Sequence, residues 1–256
     1  MNQDKTAYKK HLEGLKILAD EKRKQEIYPV NPDGESLAKL EMLSELQSLG
    51  YDYLYFSEIE LATIKSREVM RVLLKYYPLM ESYLTKETIL TKIDPKIFPE
   101  VFSYAYELLL QYTPFERMSM TGLQQTLARG IMNDKHISVL FDLVKDPNGY
   151  ASCSIIKEKL CKTVPEMMRP LSFAYCEGIL LIPTLKDFSI YGDEESLYKL
   201  KECAFITNEM IDKLKMAKFY SLNASLYEYY IRYFERDRVQ KEATYLLKKA
   251  IKHLSS

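Results

Sequence analysis

The chain has 256 residues, is 47% hydrophobic, and balances 36 Lys+Arg against 36 Asp+Glu. Its length and apolar content support a sizeable core in one large domain or two small ones and exclude a disordered chain, while zero formal net charge removes the overall field that a phosphate-rich partner needs. Four cysteines, none in a Cys-x-x-Cys pair, exclude a disulfide framework and fit the cytoplasm, and no apolar run reaches the ~18 residues of a membrane-spanning helix.

Eight glycines stand against 21 tyrosines, and no stretch alternates with the period of a strand, so the spacing predicts an all-α fold. In residues 4–28, Tyr8, Leu12, Leu15 and Ala19 form one apolar stripe on a heavily charged helix. Pro29, Pro32 and Gly34 then make a linker. The charged helix of 1–28 is thereby set off from a helical-repeat domain over 35–256, or else joins it in one continuous domain. Leu37, Leu40, Leu43, Leu46 and Leu49 predict a helix ended by Gly50 as a left-handed cap, and Val69, Val72, Leu73 and Tyr76 predict another that Pro78 closes.

Asp94-Pro95 reads as a helix start for a long helix through Ile97, Val101, Ala105, Leu108 and Tyr112. Thr121 with Gln124 predicts a capping box ahead of Leu123 and Leu127. In 139–164, a helix with Ile137, Leu140, Phe141 and Val144 on one stripe should stop at Asp146, turn at Pro147-Asn148-Gly149, and return as a helix carrying Ile156, Leu160 and Val164. Between Pro170 and Pro183, Leu171, Ala174, Tyr175, Gly178, Ile179 and Ile182 predict the most buried helix, followed by an irregular segment over 184–195. Leu197 and Leu200 reopen helix. Leu222, Leu226, Tyr229 and Tyr233 predict one further helix, and Val239, Ala243, Leu246, Leu247, Ala250 and Leu254 the last.

Helical hairpins joined by short turns point to an α-solenoid. Residues 140–160, LFDLVKDPNGYASCSIIKEKL, resemble a HEAT repeat, in which a Leu-rich first helix ends in an Asp-Pro turn; Ser152 and Cys153 occupy the neighbourhood of that family's Val-Arg pair. Residues 227–254 are similar to a tetratricopeptide hairpin, with Tyr and Ala at helical spacing and a Lys-Ala-Ile ending. The resemblances imply a HEAT/armadillo-like or tetratricopeptide-like stack, and about five or six units of ~40–47 residues fit the length.

Chemistry is sparse. His11, His136 and His253 lack a second ligand at metal spacing, so each reads as structural. Cys153 and Cys161 fall eight apart on one predicted helix, Cys176 and Cys203 on others, and buried small hydrophobes are the expected role. No Gly-rich phosphate loop, zinc-protease or nucleophile-elbow motif occurs, so neither catalysis nor a cofactor is indicated. The acids Glu58, Glu60 and Asp193-Glu194-Glu195 read as solvated or capping groups, and Lys22-Arg23-Lys24 as part of a mixed-charge face.

The compositional anomaly is the tyrosine cluster at 220–233. Tyr229 and Tyr233 share the core stripe of Leu222 and Leu226, leaving Asn223, Tyr227 and Tyr230 as an adjacent stripe suited either to packing on a neighbouring hairpin or to binding. The reading is a non-catalytic scaffold that binds a protein or peptide on its concave face, with Asn223, Tyr227 and Tyr230 as site residues, no metal, and neither membrane nor nucleic acid as partner. Two alternatives stand beside it: a HEAT-like DNA-repair glycosylase, opposed by balanced charge and the absence of Trp, and a peptide-sensing regulator of tetratricopeptide type.

Overall fold

The computed structural model describes residues 34–176, 181–205 and 236–254. These residues are all-α, with no strand among them, and divide into two compact units, 1–101 and 102–256.

The first unit opens with α1 (Gly34–Ser48), followed by α2 (Phe56–Leu61), α3 (Arg67–Tyr76), a 3-10 turn at Tyr77–Leu79, and α4 (Tyr83–Lys92). Gly50 takes φ +86°, its amide bonds to the Gln47 carbonyl at 2.9 Å, and the Tyr51 amide bonds to Leu46 at 3.1 Å. That pair of bonds is a Schellman cap, as the left-handed glycine predicts. The buried face of α1 is Glu35, Ala38, Met42, Leu43 and Leu46, whereas Leu37 and Leu49 are each 48% exposed. Leucines three apart advance about 300° per step on a helix, so the predicted ladder winds off its own face. The predicted stripe of α3 is buried throughout, with Met70 added.

Glu35 ties this unit together. Its carboxylate accepts bonds from the Glu81 amide at 2.8 Å, the Ser82 amide, and the Thr85 hydroxyl at 2.6 Å, and pairs with Lys39 at 2.9 Å. Ser82 is the N-cap of α4, so α1 supplies an anion beside a helix start whose amides lack intrahelical partners. Burial alone would raise the Glu35 pKa, but these four donors outweigh it and hold the carboxyl at about 2.

Helix α5 (Glu100–Leu110) runs across the division between the units, and α6 (Pro114–Arg117), α7 (Thr121–Arg129) and α8 (Asp134–Val144) follow it. The helix predicted from Asp94-Pro95 starts later, at Glu100. Asp94 instead caps an isolated turn through Lys96 and Phe98, because Phe98 precedes Pro99 and is biased away from the helical region. Thr121 is not an N-cap, a place taken by Met120, and Gln124 faces inward. Its amide nitrogen donates to the carbonyls of Arg117 (2.6 Å) and Ser152 (3.1 Å), and its oxygen accepts from the Ile155 amide at 3.1 Å.

The predicted turn at 146–149 is a helix start. Asp146 N-caps α9 (Pro147–Ser152) by accepting from the amides of Asn148 and Gly149, with Pro147 at the first helical position. Cys153 is the joint before α10 (Ser154–Thr163), so Cys153 and Cys161 do not share a helix. Leu140, Val144, Ile156 and Leu160 are buried as expected, and α10 packs on α8 and α7.

Helix α11 (Pro165–Ala174) contains Pro170, and α12 (Leu181–Tyr191) contains Pro183. The predicted helix between these prolines is therefore displaced on both sides. Pro183 lies in the first turn of α12, where an amide has no intrahelical acceptor to lose, so it does not terminate a helix. The segment predicted as irregular is mostly α12, with Leu185 and Phe188 fully buried, whereas Leu171 is only half-buried and Ala174 is exposed. Gly178 and Ile179 lie outside the described residues. Asp193 then caps α13 (Glu194–Ala204) through the Ser196 amide at 2.8 Å. The last helix, α14 (Arg236–Leu254), buries Val239, Ala243, Leu246 and Ala250 as its spacing predicts. These residues join Leu185, Phe188, Leu200 and Cys203 in one apolar core.

Two outcomes test this account. Glu35, with a folded pKa below its ordinary 4.5, stabilises the chain above that pH, and the contribution fades as pH falls from 4.5 to about 2. In denaturant unfolding the chain should lose about 1–2 kcal/mol more over that window than its Glu35→Gln variant, which should also be the less stable of the two at neutral pH. A Cβ on Gly149 would lie 1.8 Å from the Leu143 carbonyl oxygen, so Gly149→Ala should lower stability by about 2–4 kcal/mol in the same assay.

Candidate functional site

Helices α9 to α12 converge on a buried polar cluster. The Lys157 ammonium on α10 meets both carboxylate oxygens of Asp187 on α12, at 2.8 and 2.9 Å, and the two side chains are 4% and 1% exposed. Lys157 also donates to the Pro183 carbonyl and sits 4.4 Å from the centroid of the Tyr150 ring. Burial of a cation is tolerable only when its donors are satisfied, and here an anion, a carbonyl and an aromatic face receive them.

The carboxylate is the sink of a donor ladder. Tyr150 on α9 donates to Asp187 Oδ2, as does Ser172 on α11 at 3.2 Å. The Tyr191 hydroxyl lies 2.7 Å from Ser172 Oγ and 3.3 Å from the Cys161 thiol. One consistent proton arrangement runs from Cys161 to Tyr191, then to Ser172, and ends on Asp187. Burial first, and then the Asp187 charge, push the Cys161 thiol up to about 12. Burial likewise raises the Tyr150 phenol, reinforced by the Asp187 charge, and raises Tyr191 beside Cys161, so all three stay protonated as donors. Outside the ladder, Arg169 lies 5.4 Å from the Tyr191 ring centroid and pairs with Asp193 at 3.2 Å. With its charges bonded internally, the cluster fixes the register of four helices.

Several other sequence-named groups have structural roles. His136 stacks on Phe102 with ring centroids 4.0 Å apart, its Nδ1 lying 2.8 Å from the Gly130 carbonyl. Glu58 caps the start of α2 by accepting from the Leu54 and Tyr55 amides. Asp193 is the N-cap already given. Cys153 and Cys203 are buried, with burial first among the causes that push their thiols up to about 11 and about 12. Asn223, Tyr227 and Tyr230, the predicted binding residues, lie outside the described residues, as does His11.

A solvent-facing surface remains on α14. Opposite its core stripe, Asp237, Lys241, Thr244, Tyr245 and Lys248 line an open groove of about 430 Å3 that Ala204 of α13 borders. Tyr245 is 62% exposed, and Phe205, the next residue after Ala204, is 73% exposed. Phenols that keep one wet edge suit recognition of amphipathic ligands. The cluster and the groove both escape a reading of periodicity. Nothing in Lys-Glu-Lys-Leu-Cys-Lys says which lysine turns inward, whereas the groove is the remainder of α14 once its core stripe is removed.

The ion pair carries its own test. Lys157→Met should destabilise the chain by about 3–5 kcal/mol in denaturant melts by stranding a buried carboxylate, and adding Asp187→Leu should recover at least half of that loss. Purely additive losses would refute the coupling.

No family model matches this chain, and neither a curated protein nor a solved structure does.

Proposed function

We propose that the chain is a non-catalytic helical-repeat scaffold, HEAT/armadillo-like or tetratricopeptide-like, that binds a protein or peptide and needs no cofactor. The observation that carries the reading is the α14 groove, where an exposed tyrosine lies between two lysines on a helix whose opposite face is anchored in the core. A rigid helix with one buried and one open face presents side chains at fixed spacing, which lowers the ordering cost of binding. Asn223, Tyr227 and Tyr230 belong to the same proposal as a second contact stripe. The cytoplasm is the proposed compartment, in keeping with cysteines that are free thiols among the described residues. Among those residues no helix is long and apolar enough to cross a membrane.

Panning a displayed random-peptide library on the full chain tests the reading. Enriched peptides should lose at least about tenfold in affinity to Tyr245→Ser, while the melting midpoint stays put because exposed substitutions cost within about 0.5 kcal/mol. The paired variant Tyr227→Ser with Tyr230→Ser reports in the same way on the second stripe. A library that yields no specific binder overturns the scaffold reading.

A further inference from the structure

Resting on that reading, we infer that the α14 groove takes an extended acidic segment of a protein partner, with two carboxylates three residues apart and an apolar side chain between them. The chain is neutral overall, but α14 is not. It carries Arg236, Arg238, Lys241, Lys248, Lys249 and Lys252 against Asp237 and Glu242. Within the groove the basic groups are Lys241 and Lys248, both exposed, and among the described residues neither forms an ion pair. Surface lysines elsewhere in the chain do find partners, as Lys75 does with Glu45 and Lys186 with Glu158. The two groove ammoniums are thus positioned to meet acid from outside, and complementary charge gives a partner both orientation and a faster encounter.

Spacing sets the form of the ligand. Lys241 and Lys248 are seven residues apart, a rise of about 10.5 Å along the helix. A peptide in the polyproline conformation repeats its side-chain direction every three residues over about 9.3 Å, so Glu-x-x-Glu places both carboxylates within reach of the two flexible lysines. Tyr245 stands between them, four residues after Lys241 and three before Lys248, on the same face. Its half-wet ring meets the intervening apolar residue, and the Thr244 hydroxyl is a partner for the peptide backbone. A nucleic-acid strand fits less well. A neutral chain lacks the field that holds a polyanion at physiological salt.

The test is fluorescence anisotropy on the full chain with labelled Ser-Glu-Pro-Leu-Glu-Ser, its Gln-for-Glu counterpart, and single-stranded oligo-dT. The Glu peptide should bind at least about tenfold more tightly than the Gln peptide and weaken as salt rises. Lys241→Glu with Lys248→Glu should abolish that preference, Tyr245→Ser should weaken the Glu and Gln peptides alike, and circular dichroism melts should remain unchanged. Equal binding of the two peptides, or indifference to charge reversal, overturns the acidic ligand while leaving peptide binding intact. Tighter binding of oligo-dT than of either peptide overturns the proposal in favour of a nucleic-acid face. Absence of Glu-peptide binding also overturns it, and the library selection then shows independently whether the groove binds peptides at all.

Discussion

A buried ammonium that loses its carboxylate is among the most costly defects a protein interior can hold. Any packing of α9 to α12 that parts Lys157 from Asp187 strands two charges that are almost wholly excluded from water. The apolar cluster around Leu185, Phe188, Leu200, Val239 and Ala243 is buried as well, but apolar contacts are non-directional and tolerate sliding. The ion pair does not. It accepts one register, and Tyr150 and Ser172, which donate to the same carboxylate, narrow that further, with Tyr191 and Cys161 bonded in turn behind Ser172.

The same logic appears at smaller scale where helices meet. In an all-α chain the recurring problem is the helix end, where amides and carbonyls lack partners. Glu35 meets it in the first unit by accepting the amides of Glu81 and Ser82 ahead of α4. In the second unit Gln124 is a neutral counterpart, with its side-chain amide joining α6, α9 and α10 through two carbonyls and one amide. Each is a polar side chain on a mostly apolar face, retained there because directional bonds define junctions that hydrophobic burial leaves loose.

Helix α14 divides its surface between the core and solvent. Its buried residues lock it against α12 and α13, and the opposite face is left to solvent with Lys241, Tyr245 and Lys248 in fixed order. A site on a regular helix inherits helical spacing, so ligand geometry follows from the rise per residue rather than from loop conformation.

Helical class, the buried stripes of α3 and α14, the Gly50 cap and the capping role of Asp193 were legible in the sequence, because each rests on local periodicity or on a residue whose conformational preference is its own. Proline was ambiguous. Pro147 and Pro183 looked like breaks and are helix starts, since a proline ends a helix from inside but suits its first turn, and only the surrounding chain decides which applies. The inward turn of Lys157, Asp187, Glu35 and Gln124 was not legible at all. Charge and polarity predict exposure, and the opposite outcome depends on partners 30 residues away for Lys157 and up to 50 for Glu35. Local sequence therefore determined which segments coil, and the tertiary structure decided which polar groups leave water, because desolvation is repaid only by the partner that folding brings.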